Sequence, residues 1–164
     1  MSDIVKSGSH IPVLIQSLLN TTGPVLEMGM GFNSTPLLHW LCKDLERDLY
    51  SMESDLEWMH KFDGYQSLNH IIMPIPDWNN TLIGEMNWGL VLIDHKPGIQ
   101  RGFDAVKVAD RAQIVVLHDS EPEWDKIYGY SKVYDFYKYR HDDTRWKPCT
   151  TVLSNTIDVK ELLA

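Results

Sequence analysis

VLEMGMGFNST, residues 25–35, decides how the rest of the chain is read. VLEM stands between Gly23-Pro24 and Gly29-Met30-Gly31. An apolar run this short, bounded by turn residues, predicts a buried strand and not a helix. The chain must then turn sharply at the glycines. Asn33 or Ser34 offers an N-cap, Pro36 falls in the first helical turn where its missing N–H does no harm, and Leu37, Leu38 and Leu41 mark one buried face. The order is strand, glycine loop, helix.

Working outward, IPVLIQSLLN (11–20) carries Ile11, Leu14, Ile15, Leu18 and Leu19 at helical spacing, and Thr21-Thr22-Gly23-Pro24 ends it. Downstream, DLYSME (48–53) predicts a second strand, DLEWMHKF (55–62) a helix, and HIIMPI (70–75) a third strand. WGLVLID (88–94) predicts a fourth, Ile99 to Ala109 a helix, and AQIVVLHD (112–119) a fifth. Continuous apolar strands separated by helices specify a parallel sheet covered on both faces, and right-handed crossovers make it doubly wound. VYDFYKYR (133–140) alternates with period two, and TTVLSNT (150–156) follows without an intervening helix, which predicts a C-terminal antiparallel hairpin. The fold class is therefore α/β, one doubly wound domain over residues 1–164 with its core at 24–156.

The 164 residues carry 15 Lys plus Arg against 23 Asp plus Glu, a formal charge of −8, which disfavours nucleic acid as a partner. No apolar run approaches the length of a membrane span, and Met1-Ser2-Asp3 opens no signal peptide, so the expected location is cytoplasmic. Cys42 and Cys149 read as free thiols. Trp40, Trp58, Cys42 and the methionines read as core filling. Eight of the 17 aromatics fall between Trp124 and Trp146, interleaved with Lys138, Arg140 and Arg145. They read either as a stacking surface for an anionic ligand or as a strand packed on the sheet.

Ligands of open α/β sheets lie beyond the carboxyl ends of the strands. That rule selects Glu27, Gly29 and Gly31, then Glu53, Asp77, Asp94-His95 and His118-Asp119. Glycines allow close approach of a ligand to the backbone, and Glu53, 22 residues after Gly31, can accept hydrogen bonds from ribose hydroxyls. The bland alternatives are a tight turn for the glycines, a helix-terminal charge for Glu53 and capping for Asp94, His95 and His118.

Glu27-Met28-Gly29-Met30-Gly31, Glu53 after strand two, LIDH (92–95) after strand four and the terminal two-strand addition resemble the class I S-adenosylmethionine-dependent methyltransferases, of Rossmann-like architecture. The resemblance implies that Gly29 and Gly31 pack on the methionine part of S-adenosylmethionine with Glu27 near its amino end. Ser34 would join them at the helix start, Glu53 would bind the ribose, and Asp77 and Trp78 would lie near the adenine. Methyl transfer to an oxygen or nitrogen of a small or anionic acceptor follows, with Asp94, His95 and His118 as the catalytic candidates. LIDHKPG (92–98) with VVLHDSE (115–121) also resembles metal-dependent O-methyltransferases of this fold, implying a divalent metal at Asp94 and Asp119, although His118 stands where that family has a carboxylate. The alternative reading is a non-catalytic cofactor-binding or partner protein. A small-molecule acceptor is the expected partner, with a second copy or another subunit completing the pocket.

Overall fold

A computed structural model describes residues 8–163. Its centre is a seven-stranded sheet of order β3-β2-β1-β4-β5-β7-β6. The strands are β1 (Val25–Met28), β2 (Leu49–Glu53), β3 (His70–Pro74), β4 (Trp88–Ile93), β5 (Ala112–His118), β6 (Tyr139–Asp143) and β7 (Thr150–Ser154). β1 to β5 are mutually parallel, and β7 is antiparallel to both its neighbours. The order reverses at β1, which pairs with β2 on one side and β4 on the other, so the switch point lies at the end of VLEM.

Alternation along β4 explains the two layers. Leu90 and Leu92 pack with Leu14 and Leu18 of α1 (Ile11–Leu19) and with Leu38 and Cys42 of α2 (Thr35–Asp44). Val91 and Ile93 face the other way, onto Ala105 of α4 (Arg101–Lys107), Val108 and Tyr130. Both faces are dry, hence the strands are apolar throughout. Between them, α3 (Leu56–Met59) continues as a 3₁₀ helix over His60–Tyr65. Two further short helices, α5 (Asp125–Tyr128) and α6 (Val159–Leu162), follow β5 and β7.

The C-terminal addition departs from expectation in its boundaries. Residues 133–137, expected to begin a strand, form 3₁₀ turns, and β6 instead takes in HDD, which the sequence reading left between strands. The period-two alternation misled because Tyr130, Val133 and Tyr137, spaced by three and four, are the residues that turn inward. Their hydroxyls explain the choice: Tyr130 donates to the His118 carbonyl at 3.2 Å and Tyr137 to the Ala105 carbonyl at 2.6 Å. Both cysteines are buried and free. No helix among the described residues is long and apolar enough to cross a membrane.

Candidate functional site

A cavity of about 790 Å³ opens above the carboxyl ends of β2, β1, β4 and β5. The sheet order separates its two ends. β2 and β5 are three strand spacings apart, roughly 14 Å, so a ligand can span the distance with a different chemical group over each strand.

At the β1 end the glycine turn is fixed by sterics. Gly29 adopts φ +90°, and a Cβ there would sit 2.6 Å from the backbone of Asp94 and His95, so the turn crosses the end of β4 with no room for a side chain. Gly31 to Ser34 wall the cavity and α2 begins at Thr35, which aims the positive end of a ten-residue helix at the space. Glu27 does not reach the cavity. It is fully buried, and its carboxylate accepts hydrogen bonds from Thr35 Oγ1 at 2.9 and 3.0 Å, from Ser51 Oγ at 2.5 Å and from the Ser34 hydroxyl. Burial outweighs those bonds and pushes its pKa up to about 7. From Ser51 the chain of contacts continues to His70 Nε2 at 2.9 Å, and from His70 Nδ1 to His39 Nδ1 at 3.1 Å.

Glu53, at the end of β2, stands on the cavity wall. Its Oε1 accepts from the Ser54 and Asp55 N–H groups at 2.7 and 3.0 Å, and its Oε2 accepts from the Met30 N–H at 3.0 Å. A carboxylate has about four acceptor positions. One on Oε2 therefore has no protein donor, while the other bonds tie β2 to the glycine turn. Trp58, expected in the core, instead joins the wall and donates from Nε1 to the Met30 carbonyl at 2.7 Å; Trp40 is exposed. Asp77 and Trp78 are not brought to the cavity. Asp77 caps a 3₁₀ turn through Asn79, and Trp78 is buried with Nε1 donating to the Lys96 carbonyl at 2.8 Å. The indole also stacks on the His95 ring at 4.0 Å. Asp104 Oδ2 lies 3.0 Å from Nε2 of that ring, and His95 itself borders the cavity.

Asp94, His118 and Asp119 do converge, each offering a ligand atom within 4.8 Å of the others. The residue that organises them, Arg101 of α4, was missed by the sequence reading. Its Nη2 donates to Asp94 Oδ1 and its Nη1 to Asp119 Oδ2, each at 3.0 Å, and its Nε donates to the His95 carbonyl at 2.7 Å. Burial alone would raise the Asp94 pKa, but His118 and Arg101 together hold it below the usual carboxylate range. His118 is raised in turn: burial opposes its charge, and Asp94 and Asp119 prevail. Two carboxylates thus face a guanidinium and an imidazole whose proton affinity they raise. This donor set does not fit a divalent metal, because the cation would have to share both carboxylates with a buried guanidinium. The expected ligands Asp94 and Asp119 are neutralised from within the protein.

His10, at the N-cap of α1, was also missed. It lies on the wall with an exposure of 2 %, its ring 4.5 Å from that of His118, and neither ring nitrogen has a hydrogen-bond partner. An orphaned buried polar group costs about 1–3 kcal/mol. Nothing in the sequence pattern announces His10, since it precedes the first strand and owes its place to the packing of α1 on β4.

In the aromatic stretch near the C-terminus the cations are largely matched locally. Arg140 stacks over Tyr134 at 3.4 Å and pairs with Asp142, while Arg145 pairs with Asp143.

No family model and no curated protein matches the sequence. Solved structures do. A methyltransferase from Pyrococcus furiosus superimposes with a TM-score of 0.53 at 17 % identity, over 90 % of this chain and 83 % of that one. The 16S rRNA methylase ArmA gives 0.59 at 11 %, over 92 % and 83 %. A chain of the Pnkp1/Rnl/Hen1 complex gives 0.56 at 10 %, over 92 % of this chain and 41 % of that one. The expectation against nucleic acid is corrected by these neighbours, since one protein of the same fold is an rRNA methylase. Its physical basis was weak, because a net charge of −8 averages over the whole chain and Trp124–Lys147 alone carries 6 Lys plus Arg against 4 Asp. Sheet order, strand directions and these superpositions together give the chain the class I methyltransferase fold.

Proposed function

We propose that the chain binds S-adenosylmethionine over the ends of β2, β1 and β4 and transfers its methyl group to an oxygen or nitrogen of an acceptor held on the β5 side. The observation that carries the reading is the cavity that joins the Gly29 turn to the free acceptor position of Glu53. Glu53 would hold the ribose. The N-terminus of α2 would hold the methionine carboxylate, because helix N-termini favour anions. The bound cofactor supplies an activated methyl on a good leaving group. The protein's share is alignment and exclusion of water.

Glu27 holds the turn from below through Thr35 and Ser51 in this reading, and contacts no cofactor atom. Arg101 keeps Asp94 and Asp119 in place without a metal. The wall formed by His10, His118 and Asp119 favours an enzyme over a silent binding module, since it supplies an acceptor surface from the chain itself. A nucleoside within a nucleic acid falls in the same acceptor class as a small hydroxylated or amino compound. Calorimetric titration with S-adenosylmethionine tests the reading: binding in the wild type with at least a tenfold loss in Glu53→Ala is expected, and equal affinities would overturn it.

A further inference from the structure

Granting the methyl-transfer reading, the β5 half of the cavity is what remains for the acceptor, and its wall includes His10, His118, Asp119 and Pro148. Of the imidazoles nearby, two are already engaged. His118 meets Asp94 Oδ2 at 3.1 Å through Nδ1 and Ser9 Oγ at 3.1 Å through Nε2, and His95 is stacked beneath Trp78 with Asp104 at its Nε2. His10 and His95 both border the cavity and neither makes a hydrogen bond through its ring nitrogens, but His95 Nε2 faces the buried Asp104 carboxylate at 3.0 Å, so among these three His10 is the one with neither a hydrogen bond nor an ion pair. Buried polar groups are paired in the great majority of cases, so an exception on a cavity wall marks where a ligand supplies the partner.

We propose that His10 is the residue that meets the methyl acceptor, and that the acceptor group is a hydroxyl, whose proton the bare ring nitrogen of His10 takes up. The step balances. A lone pair of the hydroxyl oxygen forms the O–C bond as the S–C bond breaks, and the S–C electron pair stays on sulfur as a neutral thioether. The positive charge passes to the acceptor oxygen and leaves it as the proton, giving a methyl ether and an imidazolium that releases its proton once product departs. A strong base is not needed, because the oxygen becomes strongly acidic as the bond forms. Burial and the neighbouring His118 lower the His10 pKa to about 4, with Asp94 acting in the opposite sense, so the ring offers one lone pair and one N–H at neutral pH. A hydroxyl is favoured over an amine because an amine attacks through a free lone pair before any proton is lost, whereas a hydroxyl depends on a proton acceptor in place. That hydroxyl chemistry is shared by a free alcohol or phenol and by the ribose of an RNA.

The test uses the full chain, with His10→Ala and His10→Gln beside the wild type. Catechol, adenosine and a short RNA serve as hydroxyl probes, and an alkylamine as the nitrogen control. S-adenosylmethionine affinity is measured by calorimetry, and turnover as S-adenosylhomocysteine released. Cofactor affinity within twofold of wild type, with turnover on a hydroxyl probe reduced at least about 100-fold in both variants, is the expected result. Whether catechol, adenosine or RNA is the probe turned over identifies the source of the hydroxyl. A second measurement needs no variant: the His10 ring nitrogen resonances of the wild type, saturated with S-adenosylhomocysteine, should shift on adding the same probe. Parallel loss of cofactor affinity, unchanged turnover, unmoved ring resonances, or transfer to the amine with all hydroxyl probes inert would each overturn the proposal. A wild type that binds no S-adenosylmethionine at all would instead bring down the cofactor reading on which it rests, and is recognised by the absence of heat before any variant is made.

Discussion

Glu27 shows how much a single buried side chain can hold in balance. Its pKa of about 7 lies above the reference value of 4.5, so between those values the folded protein holds a proton that the unfolded chain has lost. Stability must then fall as pH rises from about 4.5 to 7, by a few kcal/mol at most. Glu27→Gln removes this dependence while leaving hydroxyl partners that can turn to accept from the amide. Urea unfolding at pH 5 and pH 8 should show the wild type losing more stability over that interval than the variant, and parallel curves would contradict the buried-carboxyl account. Arg101 yields a prediction of the opposite kind. If the guanidinium neutralises Asp94 and Asp119, excess manganese should leave the melting midpoint of the wild type unchanged. Arg101→Met, which frees the two carboxylates beside His118, should acquire a manganese-dependent rise. A rise in the wild type would restore the metal reading.

The elements were the most legible part of the molecule, because the hydrophobic pattern sets them directly. β4 and β5 are apolar on both faces and could hardly be anything but central strands, and the glycines of 29–31 announced the turn that Gly29 makes. Glu53 was found by the same logic, since a strand end is a place that topology fixes. Legibility failed where position depends on distant packing. His10 reaches His118 only because α1 folds back over the sheet, Arg101 only because α4 begins where it does, and Trp78 is hidden by a stack on His95 that no spacing records. α1 is itself clamped by Arg47. Its guanidinium donates to the carbonyls of Leu18 at 2.7 Å, Thr21 at 3.1 Å and Gly23 at 2.7 Å. Arg47→Ala leaves those carbonyls without their charged donor, and a loss of about 2–4 kcal/mol in denaturant unfolding is expected, in line with the strength of hydrogen bonds to charged groups.

At the scale of the whole molecule, ligand and fold are linked by mass action. At a hundredfold excess over its Kd, a ligand that binds only the native state contributes about 2.7 kcal/mol, which for a chain of 164 residues raises the melting midpoint by about 5–10 °C. A thermal scan with S-adenosylmethionine at that excess should show the rise, and Gly29→Ala, with a Cβ forced against the end of β4, should both melt lower and lose most of the increment. A wild-type midpoint indifferent to the cofactor would speak against the proposed function without disturbing the fold.

The position of β7 also bears on how the chain is made. Among the described residues the last strand in sequence lies between β5 and β6, and β6 pairs there with no strand but β7. During synthesis, then, the flank of β5 stays bare until Thr150–Ser154 has cleared the ribosome, and Tyr139–Asp143 has nowhere to dock before that moment. A nascent chain whose emerged part ends between Asp143 and Thr150 would present an unpaired edge made of Val115, Val116 and Leu117, which is the kind of surface that holdase chaperones recognise and that neighbouring polypeptides on a polysome recruit into aggregates.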